Sequence, residues 1–202
     1  MTRTPELQAR RDRGDLWTAI IVGAVVAIGI AAVAVRAIVE MFSVPGSLTA
    51  TIPVDPQTFP LSVGAGIAGT VTSAQVSVPG VSPVATACFV IAVVLSSGGL
   101  IVATALGSLV CLRMLRGAVF SRQNTRALFA ISMLLLFAPL AGSFFRNMGL
   151  NGLFATLGGE YDGQWGALSV LFPWFLAAIA VGVLVIVFRR GEHLQRETEG
   201  LV

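Results

Sequence analysis

Four long apolar runs partition this chain, and the loops between them alternate between arginine-rich and arginine-free. The runs fall at about 16–42, 84–112, 127–145 and 166–188. Three are near or above the roughly 20 residues that cross about 30 Å of hydrocarbon as a helix, and the third is close to it. A backbone in lipid must satisfy its own hydrogen bonds, so a chain of this pattern has to fold as spanning helices. Eleven of the thirteen arginines lie outside the runs on one side: Arg3, Arg10, Arg11 and Arg13, then Arg113, Arg116, Arg122 and Arg126, then Arg189, Arg190 and Arg196. The loops at 43–83 and 147–165 contain none. The positive-inside rule places both termini in the cytoplasm.

The 202 residues are 55% apolar and only 11% charged, with no lysine. Soluble domains carry about a quarter charged residues, so the whole chain reads as one integral membrane unit. The basic start followed by an apolar run resembles a secretory signal. The first run is longer than the roughly 7–15-residue core of such signals and reads as an uncleaved anchor. The basic balance is explained by orientation and by contact with anionic lipid; no patch of basic residues interleaved with aromatics points to direct nucleic-acid binding. Cys88 and Cys111 lie 23 positions apart on one predicted helix, about 34 Å along its axis, which excludes a disulfide between them.

The outer loop at 43–83 predicts strands. Leu48, Ala50, Ile52 and Val54 alternate with Thr49, Thr51 and Pro53, and Ala74, Val76 and Val78 alternate with Ser73, Gln75 and Ser77. This period of two marks a strand with one apolar face. Gly64, Gly66 and Gly69 supply a turn signal between them. The expected fold is therefore an all-α membrane protein, a bundle of four transmembrane helices with a small extracytoplasmic β-hairpin cap between helices 1 and 2, followed by a cytoplasmic tail at 189–202.

Candidate functional residues form three groups. Arg36 lies inside the first run with Glu40 one helical turn later, and an ionisable residue in a span is a functional hypothesis until its partner is known. Snorkelling plus a local ion pair is the simpler account. Arg146, Glu160 and Asp162 sit at the same outer level and complete a candidate charged cluster, for which anchoring of the cap is the simpler role. Gly99, Ala103, Gly107 and Cys111 recur every four residues in the second run, and Ala178 and Gly182 repeat the spacing in the fourth. Such faces let helix backbones approach closely in lipid. Pro139 and Pro173 remove backbone donors and predict kinks. In the middle loop, Gly117 can end one helix and Ser121 can cap the next, leaving Phe120 at the interface beside arginines. His193, the single histidine, supplies neither a bis-histidine haem site nor a zinc cluster. No cofactor is expected, and no hydrolase, metalloprotease or nucleotide-binding motif is present.

The run Gly117, Phe120, Ser121, Asn124 and Leu128, joined to an ending with Arg190, Gly191, Leu194, Glu197, Leu201 and Val202, resembles the DUF2975 family, short four-span bacterial membrane proteins. The Glu199-Gly200 pair departs from the acidic-apolar pair that often precedes the last residues there. The resemblance covers nearly the whole chain and implies the bacterial inner membrane. Many members are encoded beside a small helix-turn-helix regulator, which implies a sensory or regulatory partnership with a cytoplasmic protein. It carries no catalytic residues. The expected function is a non-enzymatic sensor, regulator or scaffold, with Gly117, Phe120, Ser121, Asn124, Glu197 and Leu201 as the docking surface. A small transporter or channel subunit, as a homo-oligomer, is the alternative.

Overall fold

A computed structural model describes residues 5–60, 68–161 and 167–199. The order is α1 (Pro5–Met41), β1 (Ser47–Pro60), β2 (Ala68–Pro79), α2 (Pro83–Leu115), α3 (Arg122–Thr156) and α4 (Ala167–Glu199). All four helices are long and apolar enough to cross a membrane, and the chain is a multi-pass membrane protein. The fold class is the expected one: all-α, with four long helices and a two-stranded antiparallel sheet between the first two.

The helices outrun the apolar runs. α3 continues to Thr156 through a stretch that reads as loop from 147 onward, and α4 continues through the polar tail to Glu199. Pro139 and Pro173 lie inside unbroken helices. The Ser96-Ser97-Gly98-Gly99 stretch likewise leaves α2 continuous.

The chain divides into two compact units, Met1–Ala34 with Ala92–Phe144 and Gln164–Val202, and Val35–Ile91 with Phe145–Gly163. In the first unit, parts of all four helices pack. The side chain of Ser132 on α3 donates a buried 2.8 Å hydrogen bond to the Ala178 carbonyl of α4, and Gly182 lies beside the same hydroxyl. Interhelical bonds of this kind in a bilayer contribute about 0.6–1.7 kcal/mol. Gly99 of α2 meets the Ala138 methyl of α3, and Gly142 of α3 meets the Ser96 hydroxyl and the Ala92 carbonyl of α2. Gly23 brings α1 against Ser108 and Thr104 of α2. Those two hydroxyls donate to the carbonyls one turn back, Thr104 and Leu100, which satisfies them within the helix.

In the second unit, α2 starts at an N-cap: the Ser82 hydroxyl accepts from the Ala85 amide at 3.2 Å, and Pro83 follows at the first helical position, where its missing donor costs nothing. Gly149 of α3 seats the Phe89 ring and Gly152 seats Ala85. Leu150 and Leu153 are the most buried side chains of this core, which also holds Met41, Ala85, Cys88 and Phe89. The hairpin adds Leu48, Ala50, Ile52 and Val78 to the buried set. Its register pairs Leu48 with Val78, Ala50 with Val76 and Ile52 with Ala74, so the alternation visible in the sequence is one apolar face. On the other face the Thr49 and Ser77 hydroxyls share a 2.8 Å hydrogen bond. The register shifts between Pro53 and Gln57, a segment where Pro53 and Pro56 both lack a ladder donor. Gly69 pairs with Phe59 inside the ladder rather than in the turn, and Gly64 and Gly66 lie outside the described residues.

Candidate functional site

The most organised polar region is the arginine-bearing end of the first unit, where α2 turns into α3 beside α4. α2 ends in a Schellman motif. Gly117 takes φ +87°, its amide donates to the Met114 carbonyl at 2.9 Å, and the Ala118 amide donates to Arg113 at 3.1 Å. Only glycine adopts this left-handed position without a side-chain penalty. Four residues on, the Ser121 hydroxyl accepts from the Asn124 amide at 3.2 Å, capping α3. Asn124 is fully buried. Its amide nitrogen donates to the Ala118 carbonyl at 2.7 Å and the Val119 carbonyl at 3.0 Å, pinning the turn to the helix it precedes. Its Oδ1 is buried without a hydrogen-bond partner among the described residues.

The pinned turn holds Phe120 against α4. The ring lies 5.5 Å from Phe188, tilted at 58°, an arrangement favourable for aromatic pairs. Gly191 lies beneath it so closely that any side chain there would enter the ring. Phe120 is still 40% exposed. The two segments that carry the family resemblance thus meet in space, through Phe120 and Gly191.

Beside this contact a cleft of about 460 Å³ opens between α3 and α4, lined by Arg122, Thr125, Arg126, Arg189, Glu192 and His193. Arg122 and Arg126 are one turn apart on α3, and Arg189, Glu192 and His193 share a face of α4. Arg122 Nε stands 3.7 Å from Glu192 Oε1, and the Glu192 side chain is only 15% exposed. His193 Nε2 lies 3.2 Å from Glu197 Oε1. The sequence assigns these arginines to orientation and to contact with anionic lipid and gives Glu192 no role; their spacing of three and four along two helices is the signal for a shared cleft. Leu201 lies outside the described residues.

The expected outer cluster does not form as one group among the described residues. Arg36 Nε and Glu40 Oε1 pair at 2.6 Å on the exposed surface of α1. Arg146 makes no ion pair with Glu40 or Glu160 there; it donates at 3.3 Å to the Thr51 carbonyl of β1, tying α3 to the hairpin. Glu160 is exposed, and Asp162 lies outside the described residues. Of the small-residue positions, Gly99 is a close helix contact, Ala103 and Ala178 are buried, and Gly182 approaches Ser132. Gly107 has nothing within 4 Å of where a side chain would begin. Glycines that do admit a neighbour, and whose role the sequence pattern did not single out, include Gly23 on α1 and Gly142, Gly149 and Gly152 on α3.

No protein-family model, no curated protein and no solved structure matches this chain.

Proposed function

We propose that this protein is a non-enzymatic sensor or scaffold of the bacterial inner membrane, related to the DUF2975 proteins, with both termini and the turn at 117–121 in the cytoplasm. Its output is the docking of a cytoplasmic regulator protein on Phe120, the adjoining turn and the end of α4. The observation that carries this reading is the exposure of Phe120 on a rigid mount. A Schellman motif, a helix cap and two side-chain bonds from Asn124 immobilise the turn, yet they leave a large apolar side chain 40% exposed. A preorganised aromatic anchor loses little freedom on binding, which is why such residues dominate protein interfaces. Glu197 follows on the same helix, exposed, and would give a partner an acidic rim.

The test is in-cell crosslinking from a photoreactive phenylalanine analogue at position 120. The expected product is an adduct with one soluble protein that disappears when 197–202 are deleted while the membrane protein still accumulates. Adducts only with lipid, or only with a second copy of the chain, would refute docking and favour the transporter-subunit alternative.

A further inference from the structure

We propose that the cleft between α3 and α4 is a binding site for a phosphate group, held by Arg122, Arg126 and Arg189. This goes beyond partner docking and does not depend on it.

Three arginines line this cleft, and its lining holds one carboxylate, Glu192. Glu192 is mostly covered and stands 3.7 Å from Arg122, so it compensates that arginine in part. Arg126 and Arg189 have no ion pair among the described residues. Orientation in the membrane accounts for arginines near the hydrocarbon boundary. It does not by itself account for three exposed arginines lining one cleft, since like charges repel.

The helix adds to the imbalance. Arg122 and Arg126 occupy the first turn and a half of α3, and that first turn contains no acidic residue. The N-terminal end of a helix carries a partial positive charge, so cations are disfavoured there and anions are favoured. An oxyanion in the cleft relieves both the arginine repulsion and the dipole. The guanidinium fork matches phosphate oxygens in pairs. At about 460 Å³ the cleft is within the roughly 300–1,000 Å³ range of small-ligand sites.

Position suggests where the phosphate comes from. Phe188 immediately precedes Arg189, and Ala127 immediately follows Arg126. Both arginines therefore mark the point at which an apolar helix becomes polar, the level of a phospholipid headgroup, and basic pockets between spans bind anionic headgroups. A soluble phosphate ester carries the same chemistry and reaches the cleft from the water.

The experiment uses the full-length protein in detergent and follows thermal unfolding in two arms. One arm titrates dioleoylphosphatidylglycerol against dioleoylphosphatidylcholine; the other titrates sodium phosphate against sodium chloride at equal ionic strength. The variants are R126Q, R189Q, the double R126Q/R189Q, E192Q, and R190Q as a control of equal charge and depth outside the cleft. Saturable stabilisation by phosphatidylglycerol, weakened about tenfold in the double variant and unchanged in R190Q, supports the site with a lipid headgroup as its ligand. The same arginine dependence for sodium phosphate, with no preference between the lipids, supports it with a soluble ester. E192Q removes the opposing carboxylate and is expected to tighten binding about threefold, a sign that a purely structural role would not produce. If R190Q weakens binding as much as the double variant, or if neither anion distinguishes folded single variants from wild type, the proposal is overturned.

Discussion

A methyl group added at Gly152 tests whether close backbone approach holds α2 to α3 in the second unit. It would stand 2.6 Å from the Cβ of Ala85, whereas ordinary contact begins near 3.4 Å. Neither atom can rotate away, because each is bonded directly to its backbone, so the helices must separate locally by about 0.8 Å. Ala85 is buried, and overpacking of this kind costs about 1–3 kcal/mol. Alanine also raises helix propensity by about 0.5–1 kcal/mol over glycine, which masks part of the loss. The proper reference is therefore Gly107→Ala, made in the helix interior where nothing lies within 4 Å; the propensity gain is common to both. The difference between the two variants isolates packing at about 1–3 kcal/mol. At about 2–4 °C per kcal/mol for a chain of this size, Gly152→Ala should unfold about 2–12 °C below Gly107→Ala. Thermal unfolding in one detergent, followed by tryptophan fluorescence, measures it. A midpoint for Gly152→Ala at or above that of Gly107→Ala would refute the packing argument.

Two further outcomes follow from the turn. Asn124→Leu keeps the branching and heavy-atom count but removes both bonds to the Ala118 and Val119 carbonyls, and should cost at least about 1–2 kcal/mol by the same assay; Asn124→Asp should also destabilise, because it buries a charge whose oxygens face those carbonyls, and wild-type stability of Asn124→Asp would contradict this account. Phe120→Ala and Gly191→Val act on one contact, so a double-mutant cycle should show a coupling of at least about 0.5 kcal/mol, and strict additivity would mean that the ring does not depend on the glycine beneath it.

Several elements were legible for simple physical reasons. Spans follow from the requirement that lipid-exposed backbone bond to itself, and the hairpin follows from a period-two alternation ending in buried Leu48, Ile52 and Val78. The caps at Gly117 and Ser121 are local chemistry and could be read residue by residue. The continuation of α3 to Thr156 was not legible from composition, because Asn147, Gly149, Asn151 and Gly152 resemble loop residues. In place, the Asn151 side chain donates to the Asn147 carbonyl one turn back at 3.0 Å, and the glycines make room for Phe89 and Ala85. The helix then ends in a second Schellman motif, with Gly158 at φ +74° and the Gly159 amide bonded to the Phe154 carbonyl at 3.0 Å. A signal was present in the spacing. Ala138, Gly142, Phe145, Gly149 and Gly152 recur at alternating steps of four and three, as do Ala85, Phe89, Ala92, Ser96 and Gly99 on α2. That is the pattern of a coiled-coil seam. The arginine cleft escaped because counting charges per loop assigns a side of the membrane and discards the helix face on which each charge lies.

The sparse contacts of α1 set apart the order of synthesis from the order of assembly. None of its apolar window is buried, against 28% for α3, and its close approach to α2 is at Gly23. α1 precedes α2 in the chain and so reaches the bilayer before it. Helices that are individually stable in lipid can wait there before they associate. α2 and α3, joined by a short pinned turn, are the pair equipped to associate as soon as both have entered. Through that apolar window, α1 answers to the bilayer more than to its neighbours. Its exposed apolar positions should accept exchange among Val, Ile and Leu almost freely, while Gly23 and the buried Met41 should not.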